Sequence, residues 1–178
     1  MNAPALSEKI EAATFDFVVE PAGARKSARG GLTISRGRAF KKTLALGVAP
    51  DSIAQIQYTS GTTGQPKGAL LHHRGLTNNA RFFFERAELR AGDVLVHALP
   101  FFHTTGCGLA TLGPLQHLAT QVFLPAFDPG LLLEAAEGAR ATHLIAVPTM
   151  IIGMLEHPDF ARRDFAALRV VLAGGASV

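Results

Sequence analysis

The sequence predicts an α/β fold in which crossover helices connect a mostly parallel sheet. Three observations support this class. Short apolar runs alternate with helical stretches from residue 50 onward, which is the pattern of parallel strands joined by right-handed crossovers. The run at residues 94–99 is of the continuous apolar type, as in a strand buried on both faces. A hydrophobic fraction of 48% in 178 residues is sufficient for one core.

The first elements of this region are two extended pieces on either side of a loop, followed by a helix. Residues 53–58 and 67–71 are apolar runs of strand type. Residues 72–88 are predicted to be helical because apolar side chains recur there at spacings of three and four. These side chains are Leu76, Ala80, Phe83, Phe84 and Ala87. A turn at residues 91–93 ends the helix, and Pro100 ends the strand that follows at residues 94–99.

The remaining elements continue the alternation. A helical stretch rich in small residues covers 106–118, a strand covers 120–125, and a helix with Asp128 as its N-cap covers 129–141. A strand at 143–147, a helix bracketed by Pro148 and Pro158, and a last strand at 168–173 complete the order. Ligands bind at the carboxyl ends of parallel strands. The segments after strands 53–58, 94–99, 143–147 and 168–173 are therefore expected to meet at one edge if these strands are neighbours.

The loop at residues 57–68, Gln-Tyr-Thr-Ser-Gly-Thr-Thr-Gly-Gln-Pro-Lys-Gly, is rich in hydroxyl and glycine residues. Glycines allow backbone N–H groups to surround an anion, hydroxyls add donors, and a lysine adds a mobile positive charge. This chemistry favours a polyphosphate ligand. The common P-loop is excluded because Gln65 and Pro66 separate Gly64 from Lys67. The alternative is a flexible connector, which the stiff Pro66 directly before Lys67 disfavours.

Charge and cysteine content limit the possible partners and locations. The formal net charge is +3, and the excess lies in a basic leader, residues 1–47, that matches no regular pattern. We interpret this leader as a solvated segment of low order rather than a nucleic-acid arm, because aromatic residues are not interleaved with its basic ones. The single cysteine, Cys107, permits no internal disulfide, so a cytoplasmic location is predicted. No apolar run reaches the roughly 18 residues of a membrane span.

A metal site is not predicted from this sequence. The histidines show no ligand spacing apart from the adjacent pair His72 and His73. Neighbouring residues on one element point in different directions, so that pair does not form a zinc site. Cys107, between two glycines, is interpreted as a small packed residue.

Residues 58–69 resemble the phosphate-binding signature of the adenylate-forming superfamily, which includes acyl-CoA synthetases, peptide synthetase adenylation domains and luciferases. The segments at residues 100–103, 147–149 and 174–176 resemble later family motifs in the expected order. The resemblance covers about residues 50–178 and is closest to the fatty acyl-CoA synthetase branch. It implies that residues 48–178 are a partial AMP-binding domain, a fragment of the large N-terminal domain of these enzymes.

The resemblance also implies a reaction and the residues that perform it. A fatty acid or another carboxylic acid would react with ATP and Mg²⁺ to give an acyl-adenylate, which coenzyme A captures as acyl-CoA. Lys67 would bind phosphate as a point charge. His103 would lie between the acyl pocket and the thiol, although a polar side chain on a strand-end turn is an equal alternative. The remaining nucleotide-binding residues implied are Thr59, Ser60, Gly61, Thr62, Thr63, Gly64, Gly174, Gly175 and Ala176.

Several expectations concern what this chain can do by itself. The acidic Mg²⁺ segment, the ribose-binding aspartate, the hinge and the mobile C-terminal domain of the family have no counterpart here, so inactivity alone is expected. Open apolar faces would cause self-association. A stand-alone nucleotide-binding or regulatory module that partners another chain is the alternative. Candidates for an acyl tunnel, with helix packing as the favoured alternative, are Gly113, Thr149, Gly153 and Met154.

Overall fold

The computed structural model describes residues 48–59 and 65–175. The chain divides into two compact units, Met1–Val48 and Ala49–Val178, and the fold described here is that of the second. The leader predicted over residues 1–47 lies outside the described residues. Within them, no helix is long and apolar enough to cross a membrane.

The elements of the second unit follow the predicted order. The strands are β1 (Ile53–Thr59), β2 (Lys67–His72), β3 (Val94–His97), β4 (Thr120–Phe123), β5 (His143–Ala146) and β6 (Val170–Ala173). The α-helices are α1 (His73–Arg86), α2 (Ala110–His117), α3 (Pro129–Gly138) and α4 (Pro148–Leu155). A π-helical turn, Thr105–Leu109, precedes α2, and a 3-10 turn, Phe160–Arg162, follows α4.

A four-stranded parallel sheet in the order β4–β3–β5–β6 is the centre of the fold. The chain leaves β3 through α2 toward β4, and it leaves β5 through α4 in the opposite direction toward β6. Right-handed crossovers in opposite directions place their helices on opposite faces of the sheet. Accordingly α1 packs on α2, and α3 packs on α4. The direction reverses between β3 and β5, which makes this the topological switch point of the sheet.

Strand β1 does not belong to the parallel sheet. It pairs antiparallel with β2 in a separate two-stranded hairpin, with Thr59 opposite Lys67. The condition that strand 53–58 is a parallel neighbour of the other three is therefore not met. The reason is chain length, because the seven residues 60–66 between the strands permit an antiparallel turn, whereas parallel neighbours need a crossover of about a dozen residues or more.

One cluster of the hydrophobic core lies between the sheet and the α1–α2 layer. Phe84, Leu95 and Ala110 are fully buried there, and β5 is buried along its whole length, as expected for a strand covered on both faces. Gly113 of α2 lies directly over Phe84. A Cβ atom at Gly113 would lie 2.0 Å from Cδ2 of the Phe84 ring, so the absence of a side chain allows the two helices to approach this closely.

Two of the helices, α1 and α3, start at side-chain caps. Asp128 is the predicted N-cap of α3, and its Oδ1 accepts a hydrogen bond from the Leu131 amide at 2.8 Å. His72 was expected inside the first helix but is its N-cap, because its Nδ1 accepts from the Gly75 amide at 2.9 Å. A Cβ at Gly75 would lie 3.0 Å from the His72 ring, so glycine leaves room for this cap.

A partly buried polar network joins the amino ends of β3, β5 and β6. Both carboxylate oxygens of Asp93 accept hydrogen bonds from Arg169, at 2.9 and 2.8 Å, and Oδ2 also accepts from the Arg90 amide. Burial raises the pKa of Asp93, but the hydrogen bonds from Arg169 and Arg90 and the nearby positive charge lower it below its ordinary value overall. His143 completes the network: its Nε2 donates to the Ala87 carbonyl oxygen, and its Nδ1 is hydrogen-bonded to Thr142 Oγ1, both at 2.9 Å. The network lies at the edge of the sheet opposite to the candidate site.

Candidate functional site

A cavity of about 450 Å³ lies at the carboxyl edge of β3, β5 and β6. This is the switch point of the sheet, where α/β proteins bind ligands. Its lining is mostly apolar, with polar groups from His103 and Thr105. The lining side chains and glycines are Phe83, Leu99, Pro100, Phe102, His103, Thr105, Leu109, Ile145, Ala146, Val147, Leu172, Ala173, Gly174 and Gly175. Two predicted groups of site residues, His103 and the Gly174–Gly175 turn, thus lie in one cavity.

The turn that carries His103 is built by the π-helical segment after β3. The backbone oxygen of His103 accepts from the amides of Gly106 and Cys107 at 3.0 and 3.1 Å. Its ring Nδ1 accepts from the Thr105 amide at 3.1 Å. Because Nδ1 is an acceptor, the neutral ring carries its proton on Nε2. Gly106 allows this turn to pack on Pro100, since a Cβ there would lie 2.2 Å from the Pro100 oxygen.

The turn after β6 forms the other side of the cavity. Gly175 has a φ of +89°, a left-handed conformation that favours glycine. A Cβ built on it would lie 3.4 Å from Val147 at the end of β5. Ala176 lies outside the described residues, so the third position of this predicted motif stays a prediction.

The hairpin carries the described part of the predicted phosphate loop. Thr59 ends β1 and Lys67 begins β2, and both are exposed. The Thr59 hydroxyl lies 3.5 Å from the Lys67 carbonyl oxygen. The other predicted loop residues, Ser60, Gly61, Thr62, Thr63 and Gly64, lie outside the described residues. The hairpin contacts the His103 turn, because Oε1 of Gln57 accepts from the amide and the hydroxyl of Thr104 at 2.9 and 2.8 Å.

The candidates for an acyl tunnel do not line this cavity. Gly113 packs against Phe84, and a Cβ on Gly153 would be in ordinary contact with Phe127 at 3.4 Å. Met154 is buried and is part of the hydrophobic core. The surroundings of Gly113, Gly153 and Met154 are those of helix packing, whereas Thr149 is exposed.

Sequence reasoning missed His97, a buried histidine next to the cavity. It is fully buried on β3, its Nδ1 accepts from the Leu99 amide at 3.1 Å, and its Nε2 lies 2.8 Å from the Gln121 side-chain amide. Burial lowers the pKa of His97 to about 4. Leu99 and Pro100 line the cavity, so a neutral His97 holds the strand end on which the His103 turn begins. The signal was present in the sequence, since His97 is the polar residue within the apolar run 94–99.

The residues around the cavity do not fit a magnesium ion. Mg²⁺ prefers carboxylate oxygens and phosphates, and the residues that line the cavity include no aspartate or glutamate. Among residues 48–59 and 65–175, no group of three His, Cys, Asp or Glu side chains is arranged to hold a metal ion. Any Mg²⁺ would therefore need ligands beyond this cavity lining.

Comparisons with known proteins agree with the fold. The model of the AMP-binding enzyme family matches residues 7–178. A feruloyl-CoA synthase from an Amycolatopsis species is 38% identical over 133 residues, which cover 75% of this chain and 27% of that protein. A putative acyl-CoA synthetase of Bacillus subtilis is 40% identical over 125 residues, 70% of this chain and 23% of that protein.

A solved structure gives the same result. The crystal structure of ATP-bound MatB from Rhodopseudomonas palustris has a TM-score of 0.66 at 38% identity, covering 72% of this chain and 25% of that chain. The chain thus spans about a quarter of the length of the relatives it matches. The family match begins at residue 7, within the leader that sequence patterns left unassigned. On this evidence the chain belongs to the family of AMP-binding enzymes.

Proposed function

We propose that this chain forms the nucleotide- and acid-binding part of an AMP-forming acyl-CoA synthetase. The observation that carries the proposal is the cavity at the switch point, in which His103 and the Gly174–Gly175 turn lie together. The hairpin that bears Thr59 and Lys67 is hydrogen-bonded to the residue after His103. These are the three motif regions that such a reaction requires close to one another.

In the proposed reaction a carboxylate attacks the α-phosphate of ATP and pyrophosphate leaves; the thiol of coenzyme A then attacks the acyl carbon of the acyl-adenylate, which forms the thioester and releases AMP. Catalysis of such a step rests on positioning and on stabilising the charge of the phosphoryl oxygens. We assign Lys67 to the leaving pyrophosphate as a point charge, and Gly174, Gly175 and Ala176 to the edge of the adenine ring. The residues assigned to the phosphate cradle are Thr59, Ser60, Gly61, Thr62, Thr63 and Gly64.

We assign His103 to the acid and its activated form. Its Nδ1 accepts from the Thr105 amide, so the neutral ring has an N–H donor at Nε2. A donor at the wall of an apolar cavity can orient a carboxylate oxygen or the carbonyl oxygen of an acyl-adenylate. The cavity volume of about 450 Å³ is within the range of small-molecule sites, and its apolar lining suits the hydrocarbon or aromatic part of an acid.

The isolated chain is proposed to bind nucleotide without completing the reaction. The cavity lining offers no acidic ligand for Mg²⁺, and the relatives that carry out acyl-CoA synthesis by name are about three times as long as this chain. Coenzyme A, the acid and Mg²⁺ are therefore proposed as partners of the longer synthetase. Incubation of the chain with ATP, Mg²⁺, a fatty acid and coenzyme A is expected to give no more acyl-CoA than the Lys67→Ala variant gives.

We expect Lys67→Ala to weaken ATP binding by the purified chain at least about tenfold, since a charge-assisted hydrogen bond contributes about 1.5–3 kcal/mol. Isothermal titration calorimetry with ATP and Mg²⁺ measures this change. Lys42→Ala, which removes the same charge from the basic leader, is the matched control and should bind ATP like the wild-type chain.

Two results would contradict the proposal. Equal weakening by Lys67→Ala and Lys42→Ala would mean that ATP is attracted by bulk positive charge. No ATP binding by the wild-type chain would remove the proposed nucleotide site. A regulatory module that partners another chain would still bind ATP but would co-purify with a chain that supplies acyl-CoA synthesis.

Self-association is a further part of the proposed behaviour. Large apolar side chains are exposed on the outer face of the hairpin, with Ile56 54%, Tyr58 67% and Leu70 58% exposed. Contiguous exposed apolar surface drives association of chains, and β1 and β2 are short strands without further partners among the described residues. Sedimentation velocity is expected to show concentration-dependent oligomers, and a monomer at all concentrations would contradict this.

A further inference from the structure

The inner face of β1 is polar, which is the reverse of an ordinary half-buried strand. The partly buried residues of β1 are Gln55 and Gln57, whereas Ile56 and Tyr58 are exposed. Side chains at alternate positions share one face of a strand, so the two glutamines face the protein together. A strand held by packing alone would turn its apolar residues inward. β1 instead contacts the π-helical turn through the side-chain amides of Gln55 and Gln57.

Gln57 makes the main connection. Its Oε1 accepts three hydrogen bonds, from the Thr104 backbone amide at 2.9 Å, from the Thr104 hydroxyl at 2.8 Å and from the Gln55 side-chain amide at 3.3 Å. A second, weaker contact joins the same two segments, since Sγ of Cys107 lies 3.6 Å from Gln55 Oε1. Hydrogen bonds are directional, so these contacts fix the position of β1 along the π-helical turn more closely than apolar packing would.

The two ends of this connection lead to two groups of the proposed site. Thr104 directly follows His103, whose ring and carbonyl oxygen are held by the Thr105, Gly106 and Cys107 amides. On the other side, Thr59 lies two residues beyond Gln57, about 7 Å along an extended strand, and pairs with Lys67. A displacement of Gln57 would therefore change the spacing between His103 and the hairpin end.

We propose that Gln57 is a positioning residue that sets the distance between His103 and the hairpin bearing Thr59 and Lys67. The inference rests on the proposed function, because its consequence is that a nucleotide bound by the hairpin lies next to the group that His103 orients. Gln57 acts through Thr104 and the His103 turn. Nucleotide affinity should therefore depend little on Gln57, while the response of His103 to bound nucleotide should depend on it strongly.

The test compares Gln57→Met with Gln116→Met in the full chain. Methionine keeps the length of glutamine but cannot accept the Thr104 bonds. Gln116 is the matched control because its amide also joins two elements, bonding to the Thr77 and Leu112 carbonyl oxygens, at a distance from the cavity lining. NMR would follow hydrogen exchange of the Thr104 amide without ligand and the ring signals of His103 during an ATP titration.

We expect Gln57→Met to accelerate Thr104 amide exchange at least about tenfold and to reduce the ATP-induced shift of the His103 ring by half or more, with ATP affinity changed less than about threefold. Gln116→Met should change neither signal.

Wild-type exchange and a wild-type His103 response in Gln57→Met would overturn the inference, as would an equal effect of Gln116→Met. If ATP does not bind the wild-type chain, the proposed function fails, and the exchange of Thr104 alone then decides for or against the connection. If Gln57→Met does not fold, Thr104→Val, which removes the hydroxyl bond alone, is subject to the same criteria with a smaller expected effect.

Discussion

The substitution Gly113→Ala is expected to lower the free energy of unfolding by about 2–4 kcal/mol, whereas the same change at Gly153 is expected to raise it slightly. At Gly113 the added Cβ would lie 2.0 Å from Cδ2 of Phe84, a ring that is fully buried. Forcing extra volume into a packed core costs about 1–3 kcal/mol and sometimes more. Urea denaturation followed by circular dichroism measures the difference.

Gly153→Ala is the matched control because it is also in a helix interior. The new Cβ would lie 3.4 Å from Phe127, an ordinary contact, and alanine is favoured over glycine in helices by about 0.5–1 kcal/mol. Equal stability of Gly113→Ala and the wild-type chain would mean that Phe84 has room to move. In that case the sequence-based alternative of an acyl tunnel beside Gly113 would regain support.

The second large effect is a loss of stability below neutral pH that depends on His97. Burial lowers the pKa of His97 to about 4 in the folded chain, against about 6.5 in an unfolded one. Between these values the unfolded chain binds the proton more readily, so the contribution of His97 is fully present above about pH 6.5 and is lost as the pH falls toward 4. The full shift corresponds to about 3 kcal/mol. The described neighbours of the ring, Gln121, Phe101 and Phe123, are uncharged.

Urea midpoints at about pH 7 and about pH 4.5 test this expectation in the wild-type chain and in His97→Gln. The wild-type chain should lose about 2–3 kcal/mol more than the variant between the two pH values. Asp93 titrates in the same direction but at lower pH, because its pKa is lowered, and it is unchanged in the variant. An equal loss in both chains would show that His97 is not the group responsible.

The sequence was sufficient to predict the strands and helices of the parallel sheet. Strands β3 and β5 are buried apolar runs, and such runs are recognisable without knowledge of their neighbours. The Asp128 cap was also predicted, because a cap depends on residues three positions apart. The convergence of the His103 turn with the Gly174–Gly175 turn followed from the rule that ligands bind at the carboxyl ends of parallel strands.

Features that depend on contacts distant in sequence could not be predicted in the same way. The antiparallel pairing of β1 with β2 contradicts the expected parallel arrangement, although the short connection between them was a usable signal. The role of Gln57 depends on Thr104, 47 residues away. A polar residue on an exposed-looking strand gives no local indication of such a partner.

The strand order has a consequence for the way this domain folds. The units β3–α2–β4 and β5–α4–β6 each consist of two paired strands joined by one helix. The two units pair with each other through β3 and β5, where the Val94 amide is hydrogen-bonded to the Thr142 hydroxyl, 48 residues away. This sequence separation is roughly twice that of paired residues within either unit. Contacts between distant parts of a chain form slowly. Both units contribute walls to the cavity, Leu99 and His103 from the first and Ile145 and Gly174 from the second. The cavity therefore exists only once the two halves have joined, and we expect it to form late in folding.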